Sequence, residues 1–529
     1  MGDAPIESMR QRAGSNESGR WCGVDVSVHG PAGVSWIKKH GIATAIILWV
    51  VISSAFHVRE ISIWYDEAIT MLTASGHARP DFSLGMEQFR PESDFRKIAL
   101  DLRNQDVHPP LYFWVLALWR VVLGPSLEVA RSLSTVFIVG GCVLLYGLAQ
   151  GTGMKWPWIP VAIHALGCAG VLYAWNARPY AMASFLILLT QVLSRRRSRW
   201  TGICAAASIA THYFAALCVA PILIMVCVEE WKRHRAWVTQ TALTFAAGVA
   251  PLVALLRTHF AARPQQYTGL GPLPRELFAL VKGSVADTLS SSWLPGWGFA
   301  LIIVVAFVLA GIRWSWERRA YWIPAVYLGF LSGLFLLSVA TNKSIEKMPV
   351  EYYAGIAAPW LALLVGFGVN AYPRWSPVLL VVVVTGMMTA APLVKSTDYR
   401  LLASRIRSEC SGCVVVVGNG YAGAVPACIL YESGGMKVIT ANPSDTPQSI
   451  ADRAGEQQPV VFVKTNEPPT ARIEDRFVHA YPSVWRGGYF EVFTQGTPNP
   501  GTLSDEAKRI ETLAPAEARN DWRGGSYRP

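Results

Sequence analysis

The sequence predicts a polytopic α-helical membrane protein with a small α/β domain near its C-terminus. Three observations predict it. Hydrophobic residues make up 52% of the chain and charged residues only 16%, with a mean hydropathy of +0.30. That excludes a soluble enzyme of ordinary make-up. Long apolar runs alternate with short basic clusters, Arg195-Arg196-Arg197, Lys232-Arg233 and Arg318-Arg319. From about residue 400 the long apolar runs give way to short β-branched segments separated by turn residues. The net charge of +11 sits largely in loops between apolar runs, as positive-inside anchoring against membrane lipids requires, and not as a nucleic-acid footprint.

Residues 1–35 are polar and irregular, lack the apolar core and cleavage site of a signal peptide, and read as a disordered cytoplasmic N-terminus. A transmembrane unit is expected over 36–395. Its first span, about 41–58, follows Lys38 and Lys39, so the loop 59–128 should lie outside. Within that loop 111–123 is apolar but interrupted by Arg120, and falls short of the roughly twenty residues a crossing needs. It reads as a juxtamembrane or re-entrant helix. Clear spans follow at about 129–149, 156–174 and 180–194. The run 200–228 lies between two basic clusters, and two short helices meeting at Thr211-His212-Tyr213 would keep both clusters inside.

Further spans are expected at 237–256, 297–312, 321–340, 355–371 and 376–394, about eleven in all. Parity then puts 59–128, 175–179, 211–213, 257–296, 341–354 and everything after about 395 on the outer face. Every cluster of unusual polar residues falls on that side.

The run Val414-Val415-Val416-Val417 reads as a buried strand, followed by a helix at 422–432 and strands at 438–440 and 460–463. These define an α/β domain over 396–495. The glycines at 418–423 do not complete a dinucleotide fingerprint. Residues 496–529, rich in Gly, Pro and charge, read as a disordered tail. Of nine cysteines, Cys142, Cys168, Cys204, Cys218 and Cys227 lie in apolar runs and read as small core residues. Cys410, Cys413 and Cys428 lie in the C-terminal region. No second Cys-x-x-Cys follows, so zinc is not expected, and an oxidising compartment would favour a disulfide.

The chemistry centres on Trp64-Tyr65-Asp66-Glu67-Ala68. Acidic groups at a membrane edge cost free energy and are usually kept for a purpose. Asp66 and Glu67 are adjacent and cannot both face one centre on a regular element. One can face a reaction while the other ties the loop down. A carboxylate near an acceptor oxygen can take its proton, or hold a divalent cation that activates it. The pattern demands no cofactor and marks no metal site; the plain alternative is an acidic first helical turn.

Asp106-Val107-His108-Pro109-Pro110 brings an acid and an imidazole to a helix start, where proline is at home. Asp106 could simply cap that helix, and His108 could touch a phosphate or the acceptor. Asn176-Ala177-Arg178-Pro179-Tyr180 is a polar turn, with Arg178 suited either to bidentate phosphate contact or to a salt bridge with a loop carboxylate. His212 is a core histidine or a phosphate neighbour. Lys343, Lys347, Tyr352 and Tyr353 lie in the last outer loop, where a lysine could hold a lipid-linked phosphate or sit among headgroups. The loop 257–296, with Arg257, His259, Arg263 and Arg275, could serve as a lid or a polyprenyl entry.

Four of these stretches occur in the order Tyr65-Asp66-Glu67-Ala68, Asp106-x-His108-Pro109-Pro110-Leu111-Tyr112, Ala177-Arg178-Pro179-Tyr180-Ala181 and Thr211-His212-Tyr213-Phe214. In that order they resemble bacterial GT-C membrane glycosyltransferases. The nearest group is that of the dolichyl-phosphate-mannose–protein mannosyltransferases, which includes the lipid A aminoarabinose transferases. The resemblance covers roughly 40–395. It implies one-step inverting transfer of a sugar from a polyprenyl-phosphate carrier to a lipid, glycan or protein acceptor. The site would face the periplasm at the bacterial cytoplasmic (inner) membrane. By position it implies Asp66 as catalytic acid residue, Asp106 as a second, and Arg178 in the second outer loop. Glu67 joins them as a catalytic candidate, with His108, Tyr112, Tyr180, His212, Lys343, Lys347 and Tyr352 as substrate-binding candidates.

One departure stands out. The family commonly has Arg-Tyr in the last outer loop, before a proline in the next span. This chain has Glu351-Tyr352-Tyr353 with Pro359 after it, so Lys347 or Lys343 would have to meet the carrier phosphate, or the donor differs. Two other classes compete. A lipid-linked glycan flippase would bury polar residues at mid-membrane depth. A non-catalytic envelope assembly protein would depend wholly on the C-terminal domain, whereas an enzyme would lose only acceptor choice without it.

Overall fold

Apolar runs in a hydrocarbon environment fold as helices because each backbone N–H must find its partner within its own segment. The computed structural model describes residues 32–76, 83–92, 94–105, 108–262, 269–289, 297–348, 350–375, 377–378, 381, 399–410, 412–418, 424–441, 447–455, 460–465, 483–487 and 490–494. Four helical stretches among these are long and apolar enough to cross a membrane: His40–Arg59, Leu127–Gly151, Arg235–His259 and Trp322–Thr341. The run expected as one span at 156–174 is instead a pair, α6 (Trp158–Leu166) and α7 (Cys168–Trp175), bent by 60°. Shorter apolar helices include α4 (Leu111–Leu123), α8 (Tyr180–Arg195) and α9 (Thr201–Thr211). The figure of about eleven spans therefore depends on how these short helices are counted. The expected last span, 376–394, lies almost wholly outside the described residues, as do the N-terminus before 32 and the tail from 495.

The stretch 200–228 forms two helices, α9 and α10 (Ala215–Glu230), with His212, Tyr213 and Phe214 between them. Helices α13 (Trp297–Glu317) and α16 (Ala358–Ala371) approach until a Cβ on Gly311 would strike the Leu364 carbonyl and one on Gly368 the Phe307 carbonyl. Close backbone approach through small residues is how helices associate where no water is left to expel. Around them a buried core includes Trp360, Phe367, Phe330 and Tyr327.

The first helix, α1 (Ala32–Glu60), gives way after four residues to α2 (Tyr65–Ser75). The Glu67 carboxylate at the third helical position accepts from the Trp64 N–H at 3.1 Å, filling one of the donors a helix start leaves open. Gly76, at φ 77°, stops the helix in the left-handed region that glycine adopts without strain. Further on come α3 (Phe95–Gln105) and α4, which opens after Pro109-Pro110. The interruption at Arg120 has a cause. Its guanidinium is buried and donates to the carbonyls of Met71 (3.0 Å), Phe89 and Pro125 (3.0 Å) and to Ser75 Oγ (3.2 Å), fastening α4 to the end of α2.

The C-terminal segments form a six-stranded sheet in the order β1-β3-β2-β4-β6-β5. The strands β2 (Val414–Gly418), β3 (Val438–Ala441) and β4 (Val460–Thr465) are parallel, and their unbroken apolar runs fit burial on both faces. The antiparallel strands β6 (Phe490–Thr494) and β5 (Ser483–Gly487) complete one edge. The other edge is not C-terminal at all. Ser83–Leu84 in the first long loop, β1, pairs antiparallel with β3, Leu84 opposite Val438. Cys410 and Cys413 are joined by a disulfide, while Cys428 is a buried free thiol.

A second core links this sheet to the membrane helices. Ala68, Met71 and Leu72 of α2 share it with Ala427 and Leu430 of the helix Ala424–Ser433 and with Val415 of β2. Helix α2 is thus packed on by the C-terminal segments.

Candidate active site

The acidic pair separates by burial. The Glu67 side chain is 0% exposed and bonded bidentately to Arg131, with Nη2 to Oε2 at 2.6 Å and Nε to Oε1 at 2.9 Å. Arg131 also donates to the carbonyls of Val58 (2.8 Å), Ile61 (2.9 Å) and Ser62 (3.0 Å). The Ala177 N–H donates to Glu67 Oε1 at 2.8 Å. One buried ion pair therefore joins the end of α1, the start of α2, the long helix α5 (Leu127–Gly151) and the turn before α8.

Asp66, one residue earlier, points elsewhere. Its carboxylate is 31% exposed and lies 3.6 Å from Arg178 Nη2, whose own side chain is only 6% exposed. Arg178 is seated on α2: Nη1 donates to Thr70 Oγ1 at 2.9 Å and to the Asp66 carbonyl at 3.3 Å. Because Glu67 grips the backbone at Ala177, the same carboxylate that starts α2 sets how near Arg178 comes to Asp66. That coupling makes the distance a property of the frame.

Two imidazoles complete the cluster. His108 Nε2 is 3.4 Å from Arg178 Nη2, and its ring centroid is 5.9 Å from that of His212. His212 ends α9 in an extended conformation and packs against Tyr180 (5.2 Å), Phe214 (5.6 Å) and Tyr353 (6.1 Å). The Arg178 guanidinium also stands 5.8 Å over the Tyr180 ring. Burial, then the charges of His108 and Arg178, hold the His212 imidazole well below its ordinary 6.5.

The sign of the resulting pH effect follows. A histidine kept neutral by the fold withholds a proton that the unfolded chain accepts, so it stabilises fully above pH 6.5 and progressively less below it. Melting of the detergent-solubilised protein should be flat through this group above 6.5, with a decline at lower pH of at most about 1.4 kcal/mol per unit. His212→Phe should remove that share of the slope; an unchanged slope would show that His212 is not held neutral.

Five of the expected residues thus converge: Asp66, His108, Arg178, Tyr180 and His212. Tyr112 is buried on α4 with its hydroxyl enclosed. Asp106 lies outside the described residues, as does the Tyr352 side chain. Lys343 and Lys347 lie in the segment after α14 (Trp322–Thr341), which Glu276 ties to 269–276. The buried Glu276 carboxylate accepts from Gly271 N (2.7 Å), Ser344 Oγ (2.8 Å), Ile345 N (2.6 Å) and Glu346 N (3.1 Å). Burial raises its proton affinity, and the bonds from Ser344 and the three amides outweigh that and leave it lowered. Among the described residues this loop sends Tyr353, on α15 (Val350–Ala354), into the cluster.

Arg131, Thr70 and Glu276 carry the arrangement and were not singled out in the sequence; Tyr353 was named in the last outer loop but not assigned to the site. For Arg131 a signal existed, since an arginine just inside an apolar run calls for a buried partner. Among the described residues no group of three or more His, Cys, Asp or Glu side chains converges as a metal would need.

The class this geometry defines is a helical membrane protein whose polar side chains gather around one partly exposed acid, one buried arginine and two imidazoles. In structure the chain is similar to ArnT, a lipid A aminoarabinose transferase of the GT-C superfamily, from Cupriavidus metallidurans. For the apo form the identity is 11% and the TM-score 0.37, over 88% of this chain and 98% of that one. For the form bound to undecaprenyl phosphate these are 12% and 0.37, over 87% and 99%. It is also similar to the Archaeoglobus fulgidus oligosaccharyltransferase tethered with an acceptor peptide, at 12% identity and a TM-score of 0.44, over 88% of this chain and 75% of that one. No protein-family profile matches the sequence, and no curated protein does.

Proposed function

We propose that the chain is an inverting glycosyltransferase that moves a sugar from a polyprenyl-phosphate carrier to an acceptor hydroxyl or phosphate at the outer face of the bacterial cytoplasmic membrane. One observation carries the reading. Asp66, His108, Arg178 and His212, from four motifs spread over more than a hundred positions, meet in one cluster joined by a 3.6 Å ion pair and a 3.4 Å Arg–His contact. An acid beside cationic and imidazole groups is the chemistry this transfer needs.

In this reading the acceptor oxygen attacks the anomeric carbon while its proton passes to the Asp66 carboxylate. The bond from that carbon to the carrier phosphate breaks, and the phosphate leaves with the electron pair. Arg178, supported by Thr70, and His108 stabilise the charge that collects on the leaving phosphate. Glu67, being wholly buried and bonded on both oxygens, serves as frame and not as reactant. Tyr180, His212 and Tyr353 form the aromatic wall. Asp106 is the second acid by its place in the sequence. Lys343 and Lys347 are assigned to the entering carrier from the last outer loop.

The transmembrane unit 36–395 would carry the reaction and the α/β region 396–495 would lie on the same outer side. The test is to incubate purified protein with a panel of polyprenyl-phosphate sugars and acceptor extracts and to assay released polyprenyl phosphate. Release that depends on an added acceptor is expected. No release with any donor while the protein is folded would overturn the reading.

A further inference from the structure

We propose that Glu432, on the C-terminal helix Ala424–Ser433, is a positioning residue for the Asp66 carboxylate. This rests on the transferase reading for its effect on rate, but the contact itself does not. The Glu432 side chain is 6% exposed and sits across the corner between α1 and α2. It accepts from the Ile63 N–H at 2.8 Å and from Ser62 Oγ at 3.1 Å. Its second oxygen pairs with Arg400 Nε at 3.1 Å, and Arg400 Nη1 donates to the Arg59 carbonyl at the end of α1 at 2.9 Å.

The corner 59–64 is therefore held from two sides. On one side Glu67 takes the Trp64 N–H, and Arg131 takes the carbonyls of Ile61 and Ser62. On the other side Glu432 takes the neighbouring Ile63 N–H. Two successive amides in the extended run before α2 thus donate to carboxylates from different parts of the chain. Asp66 lies in the first turn after them, so a rotation of this corner would swing its carboxylate relative to Arg178. Glu432 touches neither Asp66 nor Arg178 among its described contacts and acts through the backbone it fixes.

A misplacement of about 1 Å at a reacting group can cost on the order of 100-fold in rate. Glu432→Ala is therefore expected to lower kcat by about 10- to 100-fold with the KM for the donor little changed, since Arg178 and His108 are untouched. Glu432→Gln, which keeps an oxygen for the Ile63 amide, should recover much of that loss. Arg400→Gln, altering a half-exposed side chain, should give a smaller fall in the same direction and covers the case that Glu432→Ala does not fold. The assay is polyprenyl-phosphate release by the full-length protein, using the carrier-linked sugar that wild type turns over fastest.

Hydrogen–deuterium exchange of the full chain supplies a readout independent of activity. Exchange of the Ile63 amide should rise in Glu432→Ala and stay near wild type in Glu432→Gln. Unchanged exchange, or unchanged kcat in a folded Glu432→Ala, overturns the proposal, as does a loss confined to KM. If wild type turns nothing over while exchange at Ile63 still rises, the transferase reading falls and the clamp stands.

Discussion

Asp66→Asn is expected to abolish sugar transfer, with a fall of about 10²- to 10⁴-fold, in a protein that folds as wild type. The side chain that changes is the exposed member of the acidic pair, so little packing is lost. Its ion pair with Arg178 is one long contact at 3.6 Å, and Arg178 keeps its bonds to Thr70 and the Asp66 carbonyl. The acid at the start of α2 also gains from the helix dipole, and losing that costs at most about 1 kcal/mol. Asparagine has the same shape but takes no proton from an acceptor hydroxyl. Released polyprenyl phosphate, followed beside a melting curve in detergent, makes the comparison. Near-normal turnover in the variant would remove Asp66 from the chemistry.

Glu67→Ala should do the opposite: it should fail in stability before catalysis can be assessed. Breaking a buried ion pair strands the remaining charge at a cost of about 3–5 kcal/mol, a large share of the 5–15 kcal/mol typical of a folded domain. Elsewhere a buried pair can often be exchanged for apolar residues without loss. Here it cannot, because the pair also serves the amides of Trp64 and Ala177 and the carbonyls of Val58, Ile61 and Ser62. Each buried backbone group left without a partner costs about 1–3 kcal/mol. Glu67→Met combined with Arg131→Met should therefore be no better than Glu67→Ala. Yield and melting midpoint measure this, and a stable double variant would show that those backbone groups find other partners.

The contrast between these neighbouring acids shows how far the sequence could be read. Their adjacency already required that they face different ways, but not which one reacts. That was decided by Arg131, placed by α5 where its guanidinium meets the Glu67 carboxylate. The four motifs could be read because each sits at the end of an apolar run, where hydropathy marks a boundary. Tyr353 could not, since nothing in Glu351-Tyr352-Tyr353 says which ring turns toward His212. Strand β1 was also invisible: two residues in a long loop carry no periodicity, and their pairing with β3 depends on contacts more than 350 positions away.

By itself the sequence determined the helical membrane character, the places where polar residues interrupt it, and the short valine-rich strands. It could do so because transfer of side chains between water and an apolar phase is local and additive along the chain. Tertiary structure alone decided that Glu67 is buried and Asp66 only partly so, that four distant turns meet, and that Glu432 grips the corner before α2. Those outcomes depend on which charge finds a partner once water has been removed, and no window of sequence holds both partners.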